Sequence, residues 1–168
     1  THVRYPFADD RSDGVVIATA RPATILADVA VAVSPGDERW RAAVGREVVV
    51  PFVERVVPVI EDERVDPEFG TGALKVTPGH DPLDFEIGRD HGLPELTVIG
   101  PDGRMSEAAG ELAGLTQDEV EERVLAWLRE HDGLVKREAY RHSVALCERC
   151  KSRIEPLISL QWWCSMEE

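Results

Sequence analysis

Residues 70–88 read GTGALKVTPGHDPLDFEIG. The stretch joins a glycine turn, a strand over 72–77, a second turn and the start of a helix at Asp81. Side chains alternate across a strand, so Leu74 and Val76 share one face, expected to be the core face. Lys75 and Thr77 share the other. Lysines are usually exposed, so Lys75 alone reads as a surface residue as readily as a site residue. Asp81 occupies the N-cap, with Pro82 at the first helical position. Asp84 lies one turn in, near the mouth of the cleft that Lys75 and Thr77 face, where the helix dipole is expected to keep it ionised. An ionised carboxylate there suits a ligand ammonium group. His80 reads as a turn residue, and no Ser or Cys nucleophile stands beside it to make a triad. GTGALK matches neither G-x-G-x-x-G nor G-x-x-x-x-G-K-[ST], and it precedes a strand where a phosphate loop follows one.

Working outward, strands dominate. GVVIATA (14–20) is short and β-branched. EVVVPFVERVVPVIEDE (47–63) reads as two strands turning near Glu54–Arg55, with Pro51 and Pro58 marking edges or interruptions. ELTVIG (95–100), GLVKREAYRHSVALCE (133–148) and RIEPLISLQWWC (153–164) read as further strands, the last two long and bent. Helices are few. Thr116 and Glu119 form a capping box, with Leu115 and Val120 at staple spacing. Val120, Val124, Trp127 and Leu128 then make one stripe, and Gly133 is a stop. The helix from Asp81 runs through Phe85 and Ile87 to about His91, with Gly92 as its stop. A short helix starts at Pro22 and covers PATILAD. Regular βαβ alternation is absent, so a doubly wound sheet is disfavoured. The expected fold is mainly β, a closed barrel-like core decorated by short helices.

The chain has 168 residues, enough for one domain with a core. Its net charge of −13 argues against bulk electrostatic coating of nucleic acid, though not against grasping one nucleic-acid end through local contacts. Much of the acid lies in TQDEVEERVLAWLREHDG, the solvated face of a helix. No apolar run of roughly 18 residues predicts a membrane span. The opening THVRYPFADD carries no signal-peptide core, and three cysteines do not make a disulfide framework, so the cytoplasm is expected. Cys147-x-x-Cys150 has metal-ligand spacing but is half of a four-cysteine site. Cys164 and His142 are the remaining candidates to complete it, and two reduced cysteines at a turn are the bland alternative. Trp162–Trp163 could stack bases or fill a core or interface; Trp40 and Trp127 read as core. The end QWWCSMEE follows an aromatic segment so closely that the chain reads as a domain cut from a larger protein.

Three segments resemble a known family: ATARPATILADVAVAV (18–33), VDPEFGTGALKVTPGHDPLDFEIGRDHGLP (65–94) and CERCKSRIEPLISLQWW (147–163). Together they are similar to the editing domain of class I aminoacyl-tRNA synthetases, specifically the valyl type. Lys75-Val76-Thr77-Pro78 is the valyl-type version of the segment after the turn. The isoleucyl relatives have His-Thr-Ala-Pro there, and the leucyl relatives usually Met-Gly-Val-Pro. The resemblance implies a single editing domain over 1–168, with 1–13 and 147–168 as connecting strands toward a synthetic domain.

The implied activity is post-transfer proofreading, hydrolysis of the ester of Thr-tRNA(Val). A synthetic pocket for valine rejects threonine only about 10²-fold, a standard illustration of limited selectivity. The expected catalytic set is Asp84, Asp81 and Thr24. Asp84 would bind the α-ammonium, Lys75 and Thr77 the threonyl side chain, and Asp81 would belong to the same pocket while capping the helix. Arg21 and Thr24 of Arg21-Pro22-Ala23-Thr24 would face the pocket and the terminal adenosine. Ala20 and Ala23 replace a threonine and a glutamate of the usual motif, and Gly79 stands where alanine is common. The expected partners are the 3′ end of a misacylated tRNA and the rest of the synthetase in cis; the excised domain is expected to be monomeric. No cofactor is expected in this domain: ATP and Mg would belong to the synthetic domain, with zinc at Cys147 and Cys150 the one candidate metal. The alternatives are an isoleucyl-type domain clearing Val-tRNA(Ile), against which Lys75 argues, and a non-catalytic tRNA-end-binding module.

Overall fold

Each apolar run read as a strand up to residue 77 forms one in the computed structural model, which describes residues 1–141, 143–164 and 166. The strands are β1 (His2–Pro6), β2 (Gly14–Ala18), β3 (Ala30–Val33), β4 (Glu47–Val50), β5 (Arg55–Glu61), β6 (Ala73–Val76) and β7 (Leu134–Lys136). The α-helices are α1 (Pro82–Asp90) and α2 (Gln117–Glu130), and Pro22–Ala27 and Glu107–Leu112 form 3-10 turns.

β1 lies between β2 and β7, antiparallel to both, with Val3 opposite Ile17 and Tyr5 opposite Val15. The second sheet has the order β4-β5-β3-β6, with β3 parallel to β5 and the other pairs antiparallel. β3 escapes an alternation reading because both its faces are buried. Val31 and Val33 enter the main core, while Ala30 and Ala32 pack with Val65, Val76 and Ile87. Pro51 follows the edge strand β4. Pro58 lies inside the sheet, at the point where β5 leaves β4 and Val59 begins pairing with Val31 of β3. A missing N–H is tolerated at such a change of partner.

The expected closed barrel is not what forms. Among the described residues the two sheets meet through one bridge, Phe7 with Val48, supported by the Ala8 N–H to Glu47 O bond of 2.9 Å. β2 also lies against β6, but no ladder joins them among the described residues. A cavity occupies that gap, lined on one side by Ala18 at the end of β2 and on the other by Leu74 and Lys75 of β6.

Both helices start where their caps predict. Thr116 and Glu119 complete a reciprocal capping box, and Val120, Val124 and Leu128 are fully buried, each burial contributing about 1.5–3 kcal/mol. Leu125 joins them, and Trp127 is half-buried with its ring edge-on to Phe52 at 5.9 Å. Trp40 is likewise half-buried, its indole N–H donating to Thr71 O at 3.1 Å.

Two expected strands are absent and a third is cut short. Residues 95–100 contribute only the Ile99–Met105 bridge, before a turn through Gly100–Gly103. Of 133–148 only β7 joins a sheet, its pairing running to His2 opposite Lys136, and Leu146 makes an isolated bridge. Residues 153–164 hold one bridge, Leu146 with Arg153, and Trp162 and Trp163 are exposed rather than core. β-rich composition without an adjacent strand edge does not make a strand.

Candidate functional site

The turn after β6 builds the site. His80 N–H closes it on Thr77 O at 3.0 Å. Asp81 then caps α1, its Oδ1 accepting from Leu83 N–H (2.8 Å) and Asp84 N–H (3.2 Å). Asp81 is exposed and lines the cavity while it caps the helix. Asp84 points back to the strand, Oδ2 accepting the Thr77 N–H at 2.9 Å. Burial pushes its pKa up to about 6, against the opposing pull of the Lys75 ammonium.

Lys75 is not on a solvent face. It is 8% exposed, and its neighbour on that face, Ala73, lies in the main core. Its ammonium donates to Asp28 Oδ1 (3.1 Å) and Thr77 Oγ1 (2.5 Å). Thr77 Oγ1 donates to the same carboxylate oxygen at 3.4 Å, and the Tyr5 hydroxyl donates to Asp28 Oδ2. Asp28 is fully buried, and burial raises its pKa even though Lys75 and these donors lower it. Tyr5 is raised well above its ordinary value by burial and by Asp28. A carboxylate, an ammonium, a phenol and a hydroxyl thus form one closed network beneath the cavity.

The other wall is the 3-10 turn. Arg21 precedes it, its guanidinium donating to His80 O (3.3 Å), Gln117 Oε1 (3.4 Å) and Glu155 Oε2. Gln117 Nε2 also donates to Glu155 Oε1 at 3.2 Å, so Glu155 ties the C-terminal segment to the rim. Thr24 is buried, and its hydroxyl donates to Arg21 O at 3.0 Å, inside its own turn. Ala20 is exposed on the cavity wall. Ala23 is buried in the main core.

The cavity encloses about 220 Å³ and brings Arg21, Thr24, Lys75, Thr77, Asp81 and Asp84 to one space. All six predicted pocket residues therefore converge. A larger groove of about 440 Å³ runs between α1 and residues 156–161, and of the six only Asp81 lines it. Asp28 and Tyr5 escape the sequence reading. No local pattern marks them, because their partners lie 47 and 23 residues away.

Gly79 lets the turn pack tightly: a Cβ there would stand 2.1 Å from Leu96 O. The Cys147–Cys150 turn is closed by Lys151 N–H to Cys147 O and Cys147 N–H to Ser152 O, both 2.8 Å. Ser152 hydrogen bonds lower the exposed Cys150 thiol to about 7. His142, the fourth candidate ligand, lies outside the described residues. Among the described residues, no three His, Cys, Asp or Glu side chains gather to hold a metal, and no helix is long and apolar enough to cross a membrane.

One antiparallel sheet and one mixed sheet, with a polar-floored cavity at their gap, are the fold class of a synthetase editing domain. The crystal structure of GlLeuRS-CP1 shares the fold at TM-score 0.58 and 14% identity, covering 76% of this chain and 84% of that one. A leucyl-tRNA synthetase of Agrobacterium radiobacter K84, crystallised in a ternary complex with tRNA and LeuAMS, also gives TM-score 0.58, at 24% identity over 77% of this chain and 18% of its own. The family model for the leucyl-tRNA synthetase editing domain matches residues 36–147, and the chain belongs to that family. The chain is 52% identical over 99% of its length to a valine–tRNA ligase of Symbiobacterium thermophilum, and spans 18% of that relative.

Proposed function

We propose that this domain proofreads after transfer, hydrolysing the ester of threonyl-tRNA(Val) with a bound water. The observation that carries the reading is the buried Lys75–Asp28–Thr77 network set beside Asp84 in one small cavity. Asp84, when ionised, anchors the α-ammonium of the misattached amino acid. Lys75 and Thr77 offer hydrogen bonds to a threonyl hydroxyl. Valine cannot add a hydrogen bond to that network, a difference of about 0.5–1.5 kcal/mol for each bond forgone. The similarity to valine–tRNA ligases favours this amino acid over those cleared by other members of the family.

The chemistry asks for little. An aminoacyl ester is already activated toward water, and fixing ester and water together supplies much of the rate. The vicinal hydroxyl of the terminal ribose assists the water, and no cofactor is required within this domain. Arg21 and Thr24 receive the terminal adenosine, which must displace Glu155 from the Arg21 guanidinium. The tRNA body and the synthetic reaction belong to the remainder of a longer synthetase. Hydrolysis assays with Thr-tRNA(Val), Val-tRNA(Val) and buffer alone test the reading. Release of threonine well above buffer, with valine retained, is expected. Equal release of both defeats the specificity account, and release of neither leaves only an RNA-end-binding module.

A further inference from the structure

Asp28 is fully buried just before β3, where the Pro22–Ala27 turn ends. It is not one of the residues lining the cavity, but it bonds directly to two that are. Oδ1 accepts from Lys75 Nζ at 3.1 Å and from Thr77 Oγ1 at 3.4 Å. Oδ2 accepts from the hydroxyl of Tyr5, itself fully buried on β1. One carboxylate thus ties β1 of the first sheet to β6 of the second. A count of hydrogens follows from these bonds. An ammonium has three N–H groups and no acceptor. Lys75 gives one to Asp28 and one to Thr77 Oγ1 at 2.5 Å, and keeps one. Thr77 gives its only hydroxyl proton to Asp28 and receives one from Lys75, so one lone pair remains. The floor is thereby set to one donor and one adjacent acceptor, the complement of a hydroxyl group.

We propose that Asp28 is a positioning residue that determines specificity: acting through Lys75 and Thr77, it makes the cavity select a side chain with a β-hydroxyl. The inference rests on the reading in which Lys75 and Thr77 meet the threonyl side chain. Asp28 itself touches no substrate. Its charge holds the ammonium in place and draws the Thr77 proton away from the cavity. The remaining Lys75 N–H donates to the substrate hydroxyl, and that hydroxyl donates to the remaining lone pair of Thr77. Tyr5 keeps the carboxylate from turning, because Oδ2 is bonded to a phenol packed in the main core. An amide at 28 keeps the shape and an acceptor oxygen for Lys75. It lacks the charge that holds the ammonium and orders the protons.

The test compares two esters that differ only in that hydroxyl, Thr-tRNA(Val) and α-aminobutyryl-tRNA(Val). The wild-type chain is expected to favour the threonyl ester in kcat/KM by about tenfold or more, the effect of one to two hydrogen bonds. In Asp28→Asn that preference is expected to fall to within about threefold, through slower hydrolysis of the threonyl ester. Hydrolysis of the α-aminobutyryl ester should stay within about threefold of wild type. A merely structural role slows both esters alike, so an unchanged preference in folded Asp28→Asn overturns the proposal. A wild-type chain that hydrolyses both esters equally well overturns it too. Should Asp28→Asn not fold, Tyr5→Phe decides in its place. It keeps the ring and the Lys75–Asp28 pair and removes only the bond that holds the carboxylate. A preference lowered about threefold is then expected, and an unchanged one overturns the proposal. Failure of the underlying reading looks different, because the wild-type chain then hydrolyses neither ester.

Discussion

Two carboxylate clusters in this chain are built from similar side chains and behave oppositely. At the first, Asp62 accepts from Arg64 Nε (2.8 Å), Arg64 Nη2 (2.7 Å) and the Arg64 backbone N–H (2.9 Å), with His91 Nε2 at 2.9 Å. Those bonds hold its carboxyl well below the usual range. At the second, Asp28 and Asp84 are pushed upward by burial although the Lys75 ammonium opposes it. A guanidinium fork at the rim saturates a carboxylate and leaves little for a ligand. A single ammonium shared between a buried carboxylate and a threonine leaves the charge under-compensated, which is the condition under which a ligand's own ammonium gains most.

The hardest test of that contrast is Asp28→Ala. Removing one partner of a buried pair strands the other, so a loss of about 3–5 kcal/mol is expected in urea denaturation. A loss below about 1 kcal/mol breaks the contrast, because it would put Asp28 on the same footing as an exposed ion pair. Next comes Asp84→Ala. Losing a charged hydrogen bond to the substrate, about 1.5–3 kcal/mol, lowers kcat/KM for Thr-tRNA(Val) by about 10- to 100-fold. Unchanged kcat/KM removes Asp84 from the anchoring role.

The pH dependence sharpens the comparison, since the two clusters carry opposite signs. The folded pKa of Asp84, about 6, lies above its ordinary value of 3.8. The folded chain binds the extra proton between those values, so this group's contribution to stability falls as pH rises from about 4 to about 6. That window spans about two pH units, a fall on the order of 2–3 kcal/mol. Asp84→Asn should flatten it, and kcat/KM of the wild type should climb through about pH 6 as the anchor ionises. Asp62 is depressed, so its contribution is present above the ordinary carboxylate value and lost as pH falls below it. Equilibrium melts of Asp84→Asn and Asp62→Asn across about pH 3–7 should therefore differ in sign. The smallest effect belongs to Arg64→Ala: the buried Asp62 loses the guanidinium but keeps the residue-64 backbone N–H and His91 Nε2, so a loss of about 1–2 kcal/mol is expected in urea denaturation.

Helix starts are legible in the sequence because caps are local chemistry. Asp81-Pro82 and Thr116-x-x-Glu119 carry their own instructions within four residues. The convergence of Lys75, Thr77 and Asp84 is legible for the same reason, through strand alternation followed by a capped turn. The surroundings of Lys75 are not. Alternation says which face a side chain takes, not whether that face meets water or Asp28. The C-terminal segment defeats a reading from composition: Leu157, Ile158 and Leu160 are strand-like residues, but pairing depends on an edge that only the folded chain can offer or withhold. The missing closure between β2 and β6 is beyond any pattern in either strand.

The close approach at Gly79 has a consequence for how this surface can change. A methyl group there would meet the Leu96 carbonyl, two residues before the Val98 N–H that bonds to His80 Nε2. Residue 79 and the backbone of 96–98 are therefore constrained to vary as a pair. Alanine can stand at 79 only where that segment runs a different course. A substitution at 79 would thus reach the His80–Val98 hydrogen bond, and its effect would depend on the sequence background that receives it.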